Sequence, residues 1–207
     1  MGKEQLLPLF PLPVVLFPEA TLPLHIFEER YRLMVGEAAR DHSEFGVVLV
    51  QDGKLSNAGC TATVERTVRQ YDDGRFDVET QGRRRFRTLS LDQTKPYLQG
   101  AVEFFDDEEK TAAPEAAQLA RVVRLAQRIA GTLRSSVPDL STPARPSFVI
   151  AHHLPLDLAV KQELLIKRSE RERIAALAQH LEELSRRLET IERTQQVART
   201  NGQAGRH

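Results

Sequence analysis

Tryptophan is absent from this 207-residue chain, methionine occurs twice, cysteine once, and aromatic residues make up only 6%. With Cys60 alone, no disulfide can form within the chain, which excludes a disulfide-stapled scaffold and fits a reducing compartment. Charge of one sign is not in excess either. Lysine plus arginine and aspartate plus glutamate both number 29, so no global field draws the chain to nucleic acid or an anionic membrane. No apolar run reaches the roughly 20 residues that a membrane-spanning helix needs. A nucleotide-binding loop of the form G-x-x-x-x-G-K-[ST] is missing: Gly53-Lys54 is followed by Leu55 and has Val48 where the first glycine belongs. The remaining composition, 41% hydrophobic and 28% charged, is that of an ordinary soluble protein.

What is present begins with residues 6–27, LLPLFPLPVVLFPEATLPLHIF, strongly apolar yet carrying Pro8, Pro11, Pro13, Pro18 and Pro23. A secretory leader is a poor reading, because the basic region is only Lys3 and no small-residue cleavage site follows. A helix is worse, since each interior proline costs about 3 kcal/mol. Extended chain remains, with prolines at strand starts, edges and turns. Leu6–Phe10 and Val14–Phe17 read as short extended pieces, and Pro18-Glu19 and Pro23 frame a loop that His25–Phe27 leaves.

The next segment, Glu28–Arg40, is an amphipathic helix by spacing, with Phe27, Tyr31, Met34, Val35 and Ala38 on one face. Strands are then predicted at 45–50, 61–68, 75–80, 83–91 and 97–105, with Asp72-Asp73-Gly74 as a turn and Gly82 as a separator. Six or more short strands of this kind suggest a small closed or nearly closed barrel with one helix inserted early. Composition changes at 106–114, DDEEKTAAP, where the acidic run reads as a solvated linker.

Beyond it the pattern is helical. Leu119, Val122, Ala126, Ile129 and Leu133 form a stripe bracketed by Gly131 and Pro138. A short helix is expected at Arg145–His153, and another over Asp157–Lys167 with Asp157 as its N-cap. Ser169 and Glu172 have capping-box spacing. Ile174, Leu177, Leu181, Leu184, Leu188 and Ile191 then recur at alternating steps of three and four. That seam either packs within the chain's own helices or pairs two chains as a homodimer; it spans too few heptads for an independent coiled coil. The tail 195–207 has no apolar face and is expected to be disordered. The resulting division is a β-rich domain over 1–108, a helical domain over 109–194 and the tail.

Several motifs carry a resemblance. Phe17-Pro18, Leu22-Pro23-Leu24 and Phe27-Glu28-Glu29-Arg30-Tyr31 resemble the opening of the Lon protease N-terminal, or substrate-binding, domain family. Gly59-Cys60-Thr61-Ala62 is similar to that family's Gly-x-x-Ala strand start. Gly82-Arg83-Arg84-Arg85-Phe86-Arg87 is similar to its Gly-x-x-Arg-Phe-Arg strand with one extra residue, and Pro96-Tyr97-Leu98 matches its Pro-Tyr-Leu strand. Residues 154–177 resemble the segment that follows the barrel, and the likeness covers about 6–190. It implies an α+β fold: a PUA-like small β-barrel with an inserted helix, then a C-terminal α-helical bundle. It also implies recognition of unfolded or tagged proteins, in a cytoplasmic, bacterial style. The ATPase and Ser-Lys peptidase of a full Lon protease are expected to be lacking, so the reading is a stand-alone, non-catalytic module with no cofactor and no metal.

Candidate sites are weighed on that basis. Tyr97 and Phe105 are expected to point outward from the last strand, opposite Leu98, Val102 and Phe104, and to serve as aromatic peptide contacts. Glu28 and Arg30 read as polar anchors of the helix, with Tyr31 packed beneath the barrel. Cys60 reads as a small buried hydrophobe, and His152-His153 as surface histidines at a helix end rather than metal ligands. Arg83, Arg84, Arg85 and Arg87 could contact phosphates, and an RNA- or small-ligand-binding PUA-like module is the alternative. On a strand, however, these arginines divide between two faces, and zero net charge argues against RNA. The partners expected are protein or peptide clients, with a protease or chaperone behind them, and neither nucleic acid nor membrane.

Overall fold

A computed structural model describes residues 6–108, 113–138, 140 and 144–203, without the side chains of 192 and 195–203. The chain forms two compact units, one of Met1–Glu109 with Asp157–Arg168, the other of Lys110–Leu156 with Ser169–His207.

The first unit is built on a six-stranded sheet. Its strands are β1 (Leu7–Leu12), β2 (Thr21–Ile26), β3 (Phe45–Gln51), β4 (Lys54–Gln70), β5 (Phe76–Asp92) and β6 (Gln99–Phe105), with helix α1 (Glu29–Asp41) after β2. The strand order is β2-β5-β4-β3-β1-β6, and β6 also pairs with β5, so the ladder returns upon itself and leaves β2 outside the ring. β1 runs parallel to β3, and the other pairings are antiparallel.

The prolines sit where this ladder needs no donor. Leu9 N donates to Leu98 O at 2.8 Å. By alternation the Pro11 nitrogen faces the same side, beyond the last β1–β6 pair at Pro8. Pro23 lies in β2, an edge strand paired, among the described residues, with β5 alone. The expected loop at Pro23 is therefore a strand, because an edge tolerates one missing donor. Val14–Phe17, expected to be a short extended piece, joins no ladder. It leads instead into a turn at Pro18-Glu19, where Glu19 adopts φ 66°.

Gly82 explains that turn. It is not a separator but an interior residue of the 17-residue β5. Glu19 N donates to Gly82 O at 2.8 Å, and Gly82 N donates to Ala20 O at 2.9 Å. A Cβ on Gly82 would lie 2.0 Å from Phe17 O, so only glycine lets the turn dock. Two predicted strands thus merge into one, bent by register shifts rather than broken. β4 likewise begins at Lys54, seven residues before the expected strand. The signal was a two-residue Asp52-Gly53 hairpin, with φ 51° and 71°.

Leu9, Val48 and Phe86 form the centre inside the ring, with Leu7, Leu55, Leu98 and Val102 packed on them. Phe10, next in the chain and on the other face, stacks on Tyr31 of α1 at 4.1 Å. The buried face of α1 is Tyr31, Met34, Val35 and Ala38, as its spacing predicts. Phe27 departs from that face: it precedes the N-cap Glu28 and is exposed. Helix α4 (Leu158–Ile166) belongs to this unit as well. Gln162 Nε2 donates to Ala58 O at 3.0 Å. Asp157 occupies the N-cap of α4 without a side-chain capping bond, unlike the expectation.

The buried Arg85 ties α4 to β5. Its Nη1 donates to Leu165 O at 3.0 Å and Lys167 O at 2.7 Å. Nη2 reaches Asp107 Oδ1 at 2.6 Å and Asp106 Oδ1 at 3.2 Å. These two aspartates belong to the run read as a solvated linker. Asp107 is largely buried, and the pair balances a guanidinium that is 1% exposed. Residues 109–112 of that linker lie outside the described residues.

The second unit is helical: α2 (Ala116–Thr132), α3 (Pro146–His153) and α5 (Glu170–Gln203). Val122, Ala126, Ile129 and Ala130 of α2 are buried with Ile174, Leu177 and Leu181 of α5, and Phe148, Ile150 and Ala151 supply α3's share. The seam therefore packs within the chain over its first half, and burial fades toward Ile191, which is 51% exposed. Ser169 accepts from Glu172 N at 3.4 Å, one half of the predicted capping box. Glu170, rather than Glu172, makes the stronger contacts. Its carboxylate accepts from Ser147 N at 2.9 Å and Ser147 Oγ at 2.6 Å, satisfying a free donor in the first turn of α3. The helical backbone of α5 continues to Gln203, past the predicted start of a disordered tail at 195, and 204–207 lie outside the described residues.

Candidate functional site

In the β unit a groove of about 490 Å³ lies between the end of β1 with the following Pro13 and the end of β2 with the following Phe27. Its floor is the Phe10–Tyr31 stack, with the Arg30 guanidinium 4.6 Å from the Tyr31 ring centroid. Burial raises the Tyr31 pKa above the ordinary phenol value; the charge of Arg30 opposes that, and Glu28 adds to it. Glu28 and Arg30 pair with each other at 2.8 Å, so the rim there is polar and self-neutralised. Phe27 stands on the opposite lip, 60% exposed. Its ring stacks against His25 at 6.0 Å, and His25 Nδ1 lies 2.5 Å from Asp77 Oδ1. Tyr71 OH donates to the other Asp77 oxygen at 2.8 Å. The His25 bond, then the Tyr71 bond, hold the Asp77 carboxyl below the usual carboxylate range.

The groove combines three chemical features. It has an apolar aromatic floor, an exposed aromatic lip, and the outer edge of β2, which pairs with no strand among the described residues. An extended apolar chain finds both pockets for side chains and backbone partners on such a surface.

The sequence-predicted contacts fall elsewhere. Tyr97 is only 3% exposed, a correction to the outward-facing expectation. It precedes β6, which begins at Gln99, so strand alternation does not extend to it. Its hydroxyl donates to Glu37 Oε2 at 2.9 Å and accepts from Lys95 Nζ at 2.8 Å. Burial raises the Tyr97 pKa, Lys95 lowers it and Glu37 raises it. Phe105 is half-buried beneath Arg85 and Arg87, whose guanidinium carbons lie 4.9 and 5.5 Å from its ring centroid. Phe104, expected to point inward, is exposed and lines a mixed-charge cavity of about 680 Å³ together with Tyr97. Tyr97 and Phe105 therefore do not share that cavity.

The arginine run is dispersed. A bulge places two β5 residues, Arg83 and Arg84, against Thr61 alone of β4, which breaks the assumed alternation. Arg83 pairs with Glu65 at 2.6 Å and Arg84 with Glu44 at 3.0 Å. Arg84 also lies 3.7 Å over Phe104. Arg85 is buried among its aspartates, and Arg87 covers Phe105. Cys60 is fully buried within β4, where its thiol contacts Thr61 O at 3.4 Å. His152 and His153 meet edge to face at 4.8 Å, and His153 Nδ1 lies 2.9 Å from Val149 O. Among the described residues, no three histidine, cysteine or acidic side chains converge as a metal site. No described helix is long and apolar enough to cross a membrane.

The site that sequence reasoning missed centres on Phe27. The available signal was positional: Phe27 directly precedes the acidic helix start Glu28-Glu29, so it need not share the helix face.

Known proteins converge on the same family. The ATP-dependent protease La (LON) substrate-binding domain matches residues 6–183. A Lon protease of Anaeromyxobacter dehalogenans is 27% identical over 80% of this chain and 22% of its own length. The Lon protease of Escherichia coli K12 is 25% identical over 85% of the chain and 24% of its own length. The chain thus spans about a quarter of these relatives. A crystal structure of a Lon N-terminal domain protein from Xanthomonas campestris superposes with a TM-score of 0.66 at 28% identity, covering 84% of this chain and 96% of that one. The N-terminal domain of a Mycobacterium avium complex Lon protease shares the fold alone, with a TM-score of 0.63 at 13% identity over 86% of this chain and 98% of that one. The breadth of the match over both units makes this chain a member of the ATP-dependent protease La (LON) substrate-binding domain family.

Proposed function

We propose that this chain is a non-enzymatic recognition module that captures exposed apolar segments of client proteins in the β1–β2 groove. The observation that carries the reading is Phe27, a large aromatic 60% exposed beside an aromatic floor and an unpaired strand edge. A client segment would add as a strand to β2, its main chain bonding to the open edge and alternate side chains entering the groove. The closed ring of pairings is consistent with a PUA-like barrel, a rigid frame for that edge. The same reading has the module work in the cytoplasm and pass clients to a protease or chaperone. The RNA alternative draws less support, because Arg83, Arg84 and Arg85 already face carboxylates.

The test is fluorescence anisotropy of a labelled unfolded protein without ATP, with its folded form and an RNA oligomer as competitors at low and high salt. Saturable binding to the unfolded form that survives high salt is expected, because apolar capture is little screened. Phe27→Ser should weaken it about fivefold to tenfold, the loss of an aromatic anchor worth more than about 1 kcal/mol. Folding stability should stay within about 0.5 kcal/mol, as for other exposed positions. Unchanged affinity in that variant would sink the groove as the binding site.

A further inference from the structure

In the helical unit, α2 and α5 flank a second cleft, of about 540 Å³, that the client groove does not involve. Arg121, Arg124 and Arg128 line it from α2, and Arg186 from α5. Glu182 and Glu189 are the acidic residues in its wall, so four guanidiniums face two carboxylates, an excess of two positive charges in a chain with none overall. The carboxylates are already engaged. Glu182 pairs with Arg121 at 2.7 Å, and Glu189 accepts from the buried Ser185 hydroxyl at 3.4 Å. That hydroxyl accepts from Arg128 Nη2 at 3.2 Å. Three guanidiniums, those of Arg124, Arg128 and Arg186, form no ion pair with a carboxylate among the described residues. Among the described residues, Arg186 donates to Glu182 O on its own helix, at 3.3 Å, and feels the charge of Glu183, whereas Arg124 makes no hydrogen bond or ion pair.

We propose that this cleft docks an acidic helical segment of a protein partner, with carboxylates entering between Arg124 and Arg186. The spacing favours this ligand. Arg121, Arg124 and Arg128 stand at i, i+3 and i+7, about 4.5 and 10.5 Å along the α2 axis, which matches acidic residues of the same spacing on a partner helix. Leu125, half-buried in the wall, offers an apolar contact between the charges. A nucleic-acid strand fits less well, because Glu182 and Glu189 interrupt the positive surface that a continuous phosphate chain would follow.

The experiment is anisotropy of a labelled alanine-based helical peptide carrying glutamates at i, i+3 and i+7, titrated with the full chain. A glutamine version of the peptide and an RNA oligomer serve as competitors. Saturable binding that weakens with salt is expected, with a loss of roughly tenfold or more in the R124E/R186E double variant. Retention of affinity in R124K/R186K and in Phe27→Ser would separate this cleft from the client groove. Arg124→Gln alone is a milder variant if charge reversal disturbs folding, and it should still weaken the peptide. The proposal falls if the acidic peptide does not bind, if the glutamine peptide competes equally, if the charge-reversed chain binds as well, or if RNA displaces the peptide at lower concentration.

Discussion

Among the described residues two arginines are buried, one in each unit, and they solve the same problem with different partners. Arg85 in β5 gathers partners from across the chain: carbonyls at Leu165 and Lys167, and carboxylates at Asp106 and Asp107. Arg173 in α5 gathers them from its own helix and from α3. Its Nη2 pairs with Glu170 at 2.7 Å, its Nε donates to Ser147 Oγ at 2.9 Å, and its guanidinium carbon lies 4.3 Å from the Phe148 ring centroid. A guanidinium out of water needs both charge balance and acceptors. In the β unit those acceptors define where a distant helix must lie. In the helical unit they strengthen a junction that apolar packing already specifies.

The largest effect should come from breaking the long-range case. Arg85→Ala leaves Asp107 and two carbonyls without their donor, and should destabilise the protein by about 3–5 kcal/mol. Urea denaturation should show this together with faster amide exchange over 158–166, whose anchor is lost. Arg173→Ala leaves Glu170 and Ser147 without this donor and should cost within the same range. Its exchange protection at 158–166 should stay as in the parent. Equal loss of protection there in both variants would erase the contrast between the two anchors.

Glycines sharpen the comparison at smaller magnitude. Gly82→Ala forces a methyl against Phe17 O across a long-range contact, and should cost about 1–3 kcal/mol in thermal denaturation. Gly131→Ala adds a methyl within α2, where nothing lies within 4 Å, and should stabilise by about 0.5–1 kcal/mol. A destabilising Gly131→Ala would show that α2 is constrained by more than its own helix.

The smallest effect concerns Asp77. Its folded pKa is depressed by bonds from His25 and Tyr71. Its contribution is therefore present above the ordinary carboxylate pKa and is lost as pH falls through the depressed one. The Tm difference between the parent and Asp77→Asn should shrink between about pH 6 and about pH 2, across the ordinary carboxylate value. A difference that is constant with pH would remove Asp77 from the acid response of β2.

Local signals were readable wherever one element decided its own shape. α1 and α4 lie within a residue or so of their predicted limits, because their apolar spacing needs no partner to be recognised. The Asp72–Gly74 turn stands where its residues predict, with Gly74 at φ 83°. Pro23 concealed β2, since a proline argues against a strand unless the strand is known to lie on an edge. Tyr97 misled for a related reason: alternation assigns a face only inside a strand, and the start of β6 is set by its neighbours. Glu170 was invisible as an anchor of α3, because Ser147 lies 23 residues away.

By itself, the sequence determined the family, the succession of a β-rich half by a helical half, and the apolar faces of the helices. These follow from periodicity and turn chemistry, which act over a few residues. Tertiary structure alone decided that 157–168 returns to the β unit, that Gly82 carries the Phe17 turn, and that the exposed aromatic is Phe27 rather than Tyr97. Each depends on which distant atoms satisfy a buried donor or leave a surface uncovered, and that pairing exists only once the chain has closed on itself.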